Sequence, residues 1–97
     1  MTTKQRAKLR SMANTMEPVL QIGKDGITDN VCKQAWDALE ARELIKVTVL
    51  KNAPDYARGM CDELCARVHA EPIQVIGSRF VIYRQSREEP RIILDEL

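Results

Sequence analysis

Aromatic residues are scarce in this sequence, whose 97 residues include one tryptophan, two tyrosines and one phenylalanine. Four aromatic side chains are too few for a sheet surface that stacks successive nucleic-acid bases, as RRM domains do. Histidine occurs once, so a Ser–His or Cys–His catalytic pair has a single candidate base, His69. An odd number of cysteines, three, argues against a disulfide framework. No apolar run approaches the roughly 20 residues that span a bilayer.

The rest of the composition is typical of a globular protein, with 44% hydrophobic and 30% charged residues. A chain of this length forms one domain, so we expect a single unit over residues 1–97. The start of the chain, MTTKQRAKLR, has no apolar segment of the kind found in secretory signals. We therefore expect a cytoplasmic protein with reduced cysteines.

Positive charge is concentrated near the start of the chain. Residues 1–24 carry five basic side chains and one acidic side chain, a net charge of +4, whereas the whole chain has a formal charge of +1. Such asymmetry suggests that one part of the surface contacts a polyanion.

Hydrophobic periodicity predicts seven elements in the order α-β-α-β-α-β-β. Helices are expected at residues 2–16, from Thr28 to about Arg42, and from 52–54 to just before Pro72; strands are expected at 19–22, 44–50, 73–76 and 80–84. The two β-α-β units should have parallel strands, and the final hairpin adds an antiparallel one. The fold class is therefore α/β, with one mixed four-stranded sheet and helices packed on it. Residues 86–97 form a polar tail that could add a short edge strand.

The stretch QIGKDGIT (residues 21–28) joins the first strand to the second helix through two glycines. Glycine is common in such turns, and most of them bind nothing. Here, however, Gly23 and Gly26 would let a phosphate approach the backbone, Lys24 adds a positive charge, and Thr28 caps a helix N-terminus that favours anions. Asp25 opposes this, because a carboxylate repels phosphate. Both interpretations stay open on this stretch alone.

The first helix offers a second basic surface. Lys4 and Lys8 lie opposite its apolar stripe, and Arg6 and Arg10 flank the stripe. A basic helix face is usually no more than a solvated face. Because this helix directly precedes the strand that leads into the turn, we expect the helix and the turn to share one surface.

Other residues have a structural and a functional interpretation. Cys61, Cys65 and His69 follow one another at four-residue intervals, as a zinc site on a helix would require, but both cysteines lie in an apolar stripe and core packing is favoured. Trp36 and Tyr83 could each stack on a base, and packing is again the prediction.

The chain resembles, over almost its whole length, the CRM domain family (chloroplast RNA splicing and ribosome maturation) in its free-standing bacterial YhbY-like form. The resemblance is carried by TKQRAKLRSMA, PVLQIGKDGIT, ELIKVTVLKN and QVIGSRFVIYR. It implies an α/β fold similar to the C-terminal domain of bacterial translation initiation factor three. It also implies RNA binding through the glycine turn and the first helix, in association with precursors of the large ribosomal subunit.

From the residues and the resemblance together we predict an RNA-binding accessory protein of ribosome assembly. It is expected to be a monomer and not an enzyme, with no metal, cofactor, small-molecule substrate or membrane partner. The expected rRNA contacts are Lys4, Arg6, Lys8, Arg10, Gly23, Lys24, Gly26, Thr28, Lys46 and Lys51. The alternative is a protein-interaction module that binds a ribosomal protein or an assembly factor through the polar sheet face around Lys46 and Thr48.

Overall fold

Three helices and four strands occur in the predicted order in the structure, a computed structural model that describes residues 1–97. They are α1 (Thr3–Ala13), β1 (Leu20–Ile22), α2 (Asp29–Arg42), β2 (Leu44–Val49), α3 (Ala57–Val68), β3 (Glu71–Ile76) and β4 (Arg79–Tyr83). The tail forms a short 3-10 helix, Leu94–Glu96, instead of the predicted edge strand. None of the helices has the length and apolar composition that a membrane crossing requires.

Local hydrogen bonds explain where the helices begin. Thr2 and Gln5 form a reciprocal capping box at α1, and the Thr28 hydroxyl accepts the Val31 N–H at 3.1 Å to cap α2. Helix α3 starts at Ala57, later than the predicted start at 52–54. The preceding residues form turns, and the Asp55 carboxylate accepts the Tyr56 N–H at 2.7 Å. A side chain that binds the backbone in this way competes with helix formation and delays the first helical turn.

The strands lie in the order β1-β2-β4-β3. Strands β1 and β2 are parallel, and β4 is antiparallel to both of its neighbours, so β1, β2 and β3 all run in the same direction. The predicted parallel direction within each β-α-β unit is confirmed, with β4 inserted between β2 and β3. The end at which these three strands terminate, which also carries the Gly77–Ser78 hairpin, is called the carboxyl end of the sheet below.

The sheet has a hydrophobic core on each face. Helices α2 and α3 cover one face, where they pack on alternating residues of the strands that include Ile45, Val47, Phe80 and Ile82. Helix α1 covers part of the other face, where Leu9 and Ala13 pack with Leu44, Ile73, Val81 and Tyr83. The tail extends this second core through Ile92, Leu94 and Leu97. The α1 face is therefore only partly covered, and its remaining part is open to solvent.

A buried carboxylate holds the tail in place. Glu43 is fully buried between α2 and β2 and has a positive φ of 68°. One of its oxygens accepts the Ser86 N–H at 2.8 Å, and the other accepts the N–H groups of Arg91 and Ile92, each at 2.7 Å. Burial raises the pKa of Glu43, but these three hydrogen bonds outweigh it and the net pKa is lowered. Because Glu43 accepts these three N–H groups, they are not available for pairing with the edge of the sheet, and the tail does not form a strand.

A neighbouring network closes over Trp36. The Arg84 guanidinium pairs with Glu40 at 2.9 Å, donates to the Val68 carbonyl at 2.9 Å and lies 3.8 Å from the centre of the Trp36 ring. Arg87 lies 4.8 Å from the same ring. Trp36 therefore packs within the fold, as predicted. The two arginines that cover it were not predicted, and they add cation–π contacts.

We expect Glu43→Gln to destabilise the fold by about 1–3 kcal/mol, because the amide has one acceptor oxygen where three N–H groups, one buried and two partly buried, need partners. Urea denaturation at pH 7 measures the change. Glu88→Gln is the matched control, since Glu88 lies exposed in the same tail and makes no hydrogen bond. Equal stability of the two variants would contradict the structural role of Glu43.

The pH dependence of stability should also change in Glu43→Gln. Because the folded-state pKa of Glu43 is lowered, its contribution to stability is complete above its unfolded pKa of about 4.3 and is lost as pH falls through the folded pKa. The variant has no such contribution to lose. Its melting temperature should therefore fall less steeply between about pH 5 and 3 than that of the wild type or of Glu88→Gln.

Candidate functional site

Residues 23–26, the GKDG turn, form a β-turn in which the Gly26 N–H donates to the Gly23 carbonyl at 3.0 Å. Gly26 has a φ of +68°, and a Cβ at this position would lie 2.9 Å from Cγ of Pro54. The fold itself therefore requires Gly26. Gly23 has no positive φ, and a Cβ there would meet only ordinary contacts at 3.9 and 4.0 Å, from Leu50 and Asn52. Neither its backbone conformation nor its packing therefore requires glycine at position 23.

The N-terminus of α2 is less available to an anion than the sequence suggested. The Thr28 hydroxyl is used in the helix cap, and Asp29 places a carboxylate in the first turn. Arg67 pairs with Asp29 at 2.7 Å and donates to the Ile27 carbonyl at 2.8 Å. The Thr28 hydroxyl therefore satisfies the Val31 N–H, and a carboxylate paired with Arg67 already lies at this helix end. Lys24 is exposed at the tip of the turn, beside Asp25.

The structure places the N-terminal half of α1 away from the turn. Arg6 pairs with Glu71 at 2.9 Å and donates to the Pro72 carbonyl, at the beginning of β3. Strand β3 runs in the same direction as β1 and forms the opposite edge of the sheet, so Arg6 lies at the corner diagonal to the turn. Lys4 and Lys8 line a shallow groove with residues 96 and 97 of the tail. Arg10 is half-buried one helical turn after Arg6.

This arrangement places Arg6 away from the turn, whereas the C-terminal end of α1 reaches the sheet, where Asn14 lines a small pocket with Lys46 and Arg79. A helical wheel predicts which side of a helix is basic, but not which end of the sheet the helix covers. The contacts of the α1 residues with RNA stay a prediction, separate from those of the turn.

The turn instead shares the carboxyl end with an open row of the sheet. Gln21, Thr48, Arg79 and Ile76 are register partners across all four strands, so their side chains point to the same face. None of them is acidic. Lys46 lies two residues from Thr48 along β2 and points to the same face.

Lys51 completes this region, because it follows β2 in the loop beside the turn, where the Leu50 N–H donates to the Ile22 carbonyl at 2.9 Å. We call the region the sheet-end surface. Its members are Gln21, Gly23, Lys24, Lys46, Thr48, Lys51 and Arg79.

Arg79 was missed by the sequence analysis, which treated it only as part of a hairpin. The signal was present, because Arg79, Val81 and Tyr83 alternate with Phe80 and Ile82 along β4. Alternation places Arg79 on the face opposite the main core.

The aromatic residues also differ in their availability. Tyr83 is 5% exposed, and burial raises the pKa of its phenol, so its predicted packing role is confirmed. Trp36 is covered by Arg84 and Arg87. Tyr56 was missed by the sequence analysis and is 87% exposed at the start of α3.

The cysteines belong to the core, as predicted. Cys61 and Cys65 are buried in α3, and their mutual hydrogen bond, together with burial, raises the pKa of the Cys65 thiol. His69 follows the helix with a left-handed φ of 59° and so leaves the regular spacing. The structure contains no group of three His, Cys, Asp or Glu side chains that could hold a metal ion. The zinc alternative therefore lacks its geometry.

These features define a small α/β domain with a glycine turn and unpaired basic residues at the carboxyl end of a mixed sheet. The model of the CRS1/YhbY (CRM) domain family matches residues 1–84, and the chain belongs to this family. The sequence resemblance is thereby confirmed.

Relatives of known sequence and structure agree with this assignment. "Probable RNA-binding protein YqeI" of Bacillus subtilis is 42% identical over 94 residues, which cover 97% of this chain and 98% of that protein. "Probable RNA-binding protein PA4753" of Pseudomonas aeruginosa is 33% identical and covers 89% of this chain, with 83% of its own length matched. The solution structure of SAV1595 from Staphylococcus aureus, described as a hypothetical protein and candidate RNA binder, superposes with a TM-score of 0.76 at 49% identity. The match covers 91% of this chain and 92% of that one.

The two glycines of the turn should respond differently to alanine. Gly26→Ala is expected to destabilise the protein by about 1–3 kcal/mol, because it combines a positive φ with a close contact on Pro54. Gly23→Ala, the matched control in the same turn, should change stability by less than about 0.5 kcal/mol. Thermal or urea denaturation of both variants checks this. A larger loss for Gly23→Ala than for Gly26→Ala would contradict the geometry of the turn.

Proposed function

We propose that this protein binds RNA through the sheet-end surface and acts as an accessory factor of ribosome assembly on precursors of the large subunit. The observation that carries the proposal is a set of four cations. Lys46 and Arg79 point to the uncovered face of the sheet, and Lys24 and Lys51 lie in the loops at its carboxyl end. None of the four side chains forms a salt bridge or a hydrogen bond within the chain. Their charge is therefore available to a polyanion.

The chemistry of the surface suits a ribose-phosphate backbone. Unpaired lysine and arginine side chains neutralise phosphates and release counterions on binding. Gln21 and Thr48 add neutral hydrogen-bond donors between the cations, and Gly23 offers a backbone without a Cβ in the way. Asp25 is the one acid of the turn, and it limits how many phosphates the turn can hold.

The comparisons support the RNA-binding part of the proposal. Relatives that align with nearly the whole chain are named RNA-binding proteins, and the chain belongs to the CRM family. The association with the large ribosomal subunit rests on the family resemblance. We further propose that the protein is a cytoplasmic monomer that holds RNA without a chemical step. Its one histidine, His69, is exposed after α3, whereas Cys61 and Cys65 are buried in the core.

A protein partner on the same surface is the second candidate. Ile76 is 62% exposed next to Arg79, and a large apolar side chain among polar ones is typical of protein contacts. A ribosomal protein or assembly factor could bind there. Capture from extract separates the two candidates, because a protein partner stays bound after nuclease treatment whereas an RNA-bridged one is released.

Two charge-matched double variants test the RNA site. Lys46→Ala with Arg79→Ala should weaken binding to a large-subunit rRNA fragment and should lower the slope of log K against log salt by about two, one for each phosphate that the variant no longer neutralises. Lys4→Ala with Lys8→Ala removes the same charge from the distant part of α1 and should leave the slope nearly unchanged. Fluorescence anisotropy between about 50 and 200 mM salt measures both.

The two variants distinguish the possible sites. A larger decrease in affinity for the Lys4 and Lys8 variant would place the RNA on α1, and unchanged binding in both would remove the sheet-end surface from the mechanism. Sedimentation of cell extract tests the second part of the proposal. A protein that binds rRNA but does not migrate with large-subunit precursors would have no role in their assembly.

A further inference from the structure

A cleft lies at the carboxyl end of the sheet, next to the sheet-end surface. It has a volume of about 630 Å³ and is formed by residues 49–51 and 53–57 together with Gly77 and Ser78 of the hairpin. Its size falls within the range of about 300–1,000 Å³ in which proteins bind small organic groups. Part of its wall is apolar, from Val49, Leu50 and Ala53. The cleft can therefore accept a flat, largely apolar group.

Tyr56 borders this cleft and has no structural task. The residue is 87% exposed, its hydroxyl makes no hydrogen bond, and its side chain takes no part in the cap of α3. The other three aromatic side chains pack within the fold, since Phe80 and Tyr83 are buried in the cores and Trp36 lies beneath two arginines. Tyr56 is thus the one aromatic ring of the chain that is free to stack on a ligand.

Two charged groups fix how a ligand would lie. Lys51 contributes to the wall of the cleft beside the GKDG turn. On the side of Tyr56, the Asp55 carboxylate accepts the Tyr56 N–H and covers the first turn of α3, where a Cβ at Gly59 would overlap it. The carboxylate excludes a phosphate from this helix end by charge repulsion. An anionic group must therefore lie towards Lys51, and an uncharged ring towards Tyr56.

We propose that the cleft receives one unpaired nucleobase, which stacks on Tyr56 while its phosphate lies on Lys51. The inference rests on the proposed RNA-binding function and deepens it. The sheet-end surface contacts backbone phosphates, which every RNA possesses, whereas a base can enter the cleft only if it is unstacked from a helix. The cleft would then make the protein select single-stranded or looped RNA over duplex RNA.

The test compares two RNAs with equal numbers of phosphates, a hairpin with an unpaired loop and a blunt duplex. Tyr56→Ala should weaken binding to the hairpin by about 5- to 150-fold, the range found when one aromatic–base stack is removed. Binding to the duplex should change by less than about twofold, and the salt slope should not change, because no charge is removed. Tyr56→Phe keeps the ring and should retain the preference for the hairpin.

A fluorescent base reports on the cleft directly. Wild-type protein should quench 2-aminopurine placed in the hairpin loop, and Tyr56→Ala should not. Ile93→Ala is the matched control, since it truncates another exposed apolar residue, in the tail. Because Tyr56 is exposed, its variants should melt within a few degrees of the wild type, which shows that weaker binding does not come from unfolding.

The possible outcomes separate the base-binding cleft from the proposed function. Equal weakening on hairpin and duplex, or no quenching by the wild type, would overturn the base-binding cleft. An unaffected Tyr56→Ala variant, alongside weakened binding by the Lys46 and Arg79 variant, would do the same and leave the proposed function standing. A wild-type protein that binds neither RNA would overturn both.

Discussion

The structure depends on the change in chemistry along strand β2. On one face, Ile45, Val47 and Val49 are buried under α2 and α3. On the other face, Leu44 lies under α1, but Lys46 and Thr48 follow it and remain accessible. Covering a lysine with a helix would require removing its charge from water, which is costly without a partner. The second helical layer therefore stops where the polar residues begin, and the uncovered half of the sheet becomes the sheet-end surface.

Most of the elements of the fold could be predicted, because their hydrophobic residues follow simple periodic patterns. The order of the strands in the sheet was not predicted. The position of β4 was nevertheless encoded. Its run Phe80, Val81, Ile82 and Tyr83 is apolar on both faces, as a strand with a neighbour on each side and a layer above and below requires. Strand β3 contains Pro72, which suits an edge. A comparison of the two hairpin strands, one apolar on both faces and the other containing a proline, would have placed β4 inside the sheet.

The site was only partly predictable, for a different reason. The glycine turn is local in sequence, so its position at the end of β1 followed directly. The partners of individual charged residues could not be predicted, because they lie far away along the chain. Arg6 pairs with Glu71, 65 residues later, and Glu43 binds Ser86, 43 residues later. No periodic pattern predicts such pairs. Tyr56 was missed for a similar reason, because the sequence does not show that its side chain stays exposed and forms no hydrogen bond.

Partners of this kind explain how a chain with a net charge of only +1 can present a surface for a polyanion. The acids Asp29, Glu40, Glu43 and Glu71 are engaged within the fold, where they bind arginines or backbone N–H groups. The cations at the sheet end are left without such partners. What a ligand meets is therefore the unpaired charge at each place and not the total charge of the chain. A basic residue contributes to binding only if the fold has not already paired it, which is why Arg79 belongs to the surface that we propose and Arg6 does not.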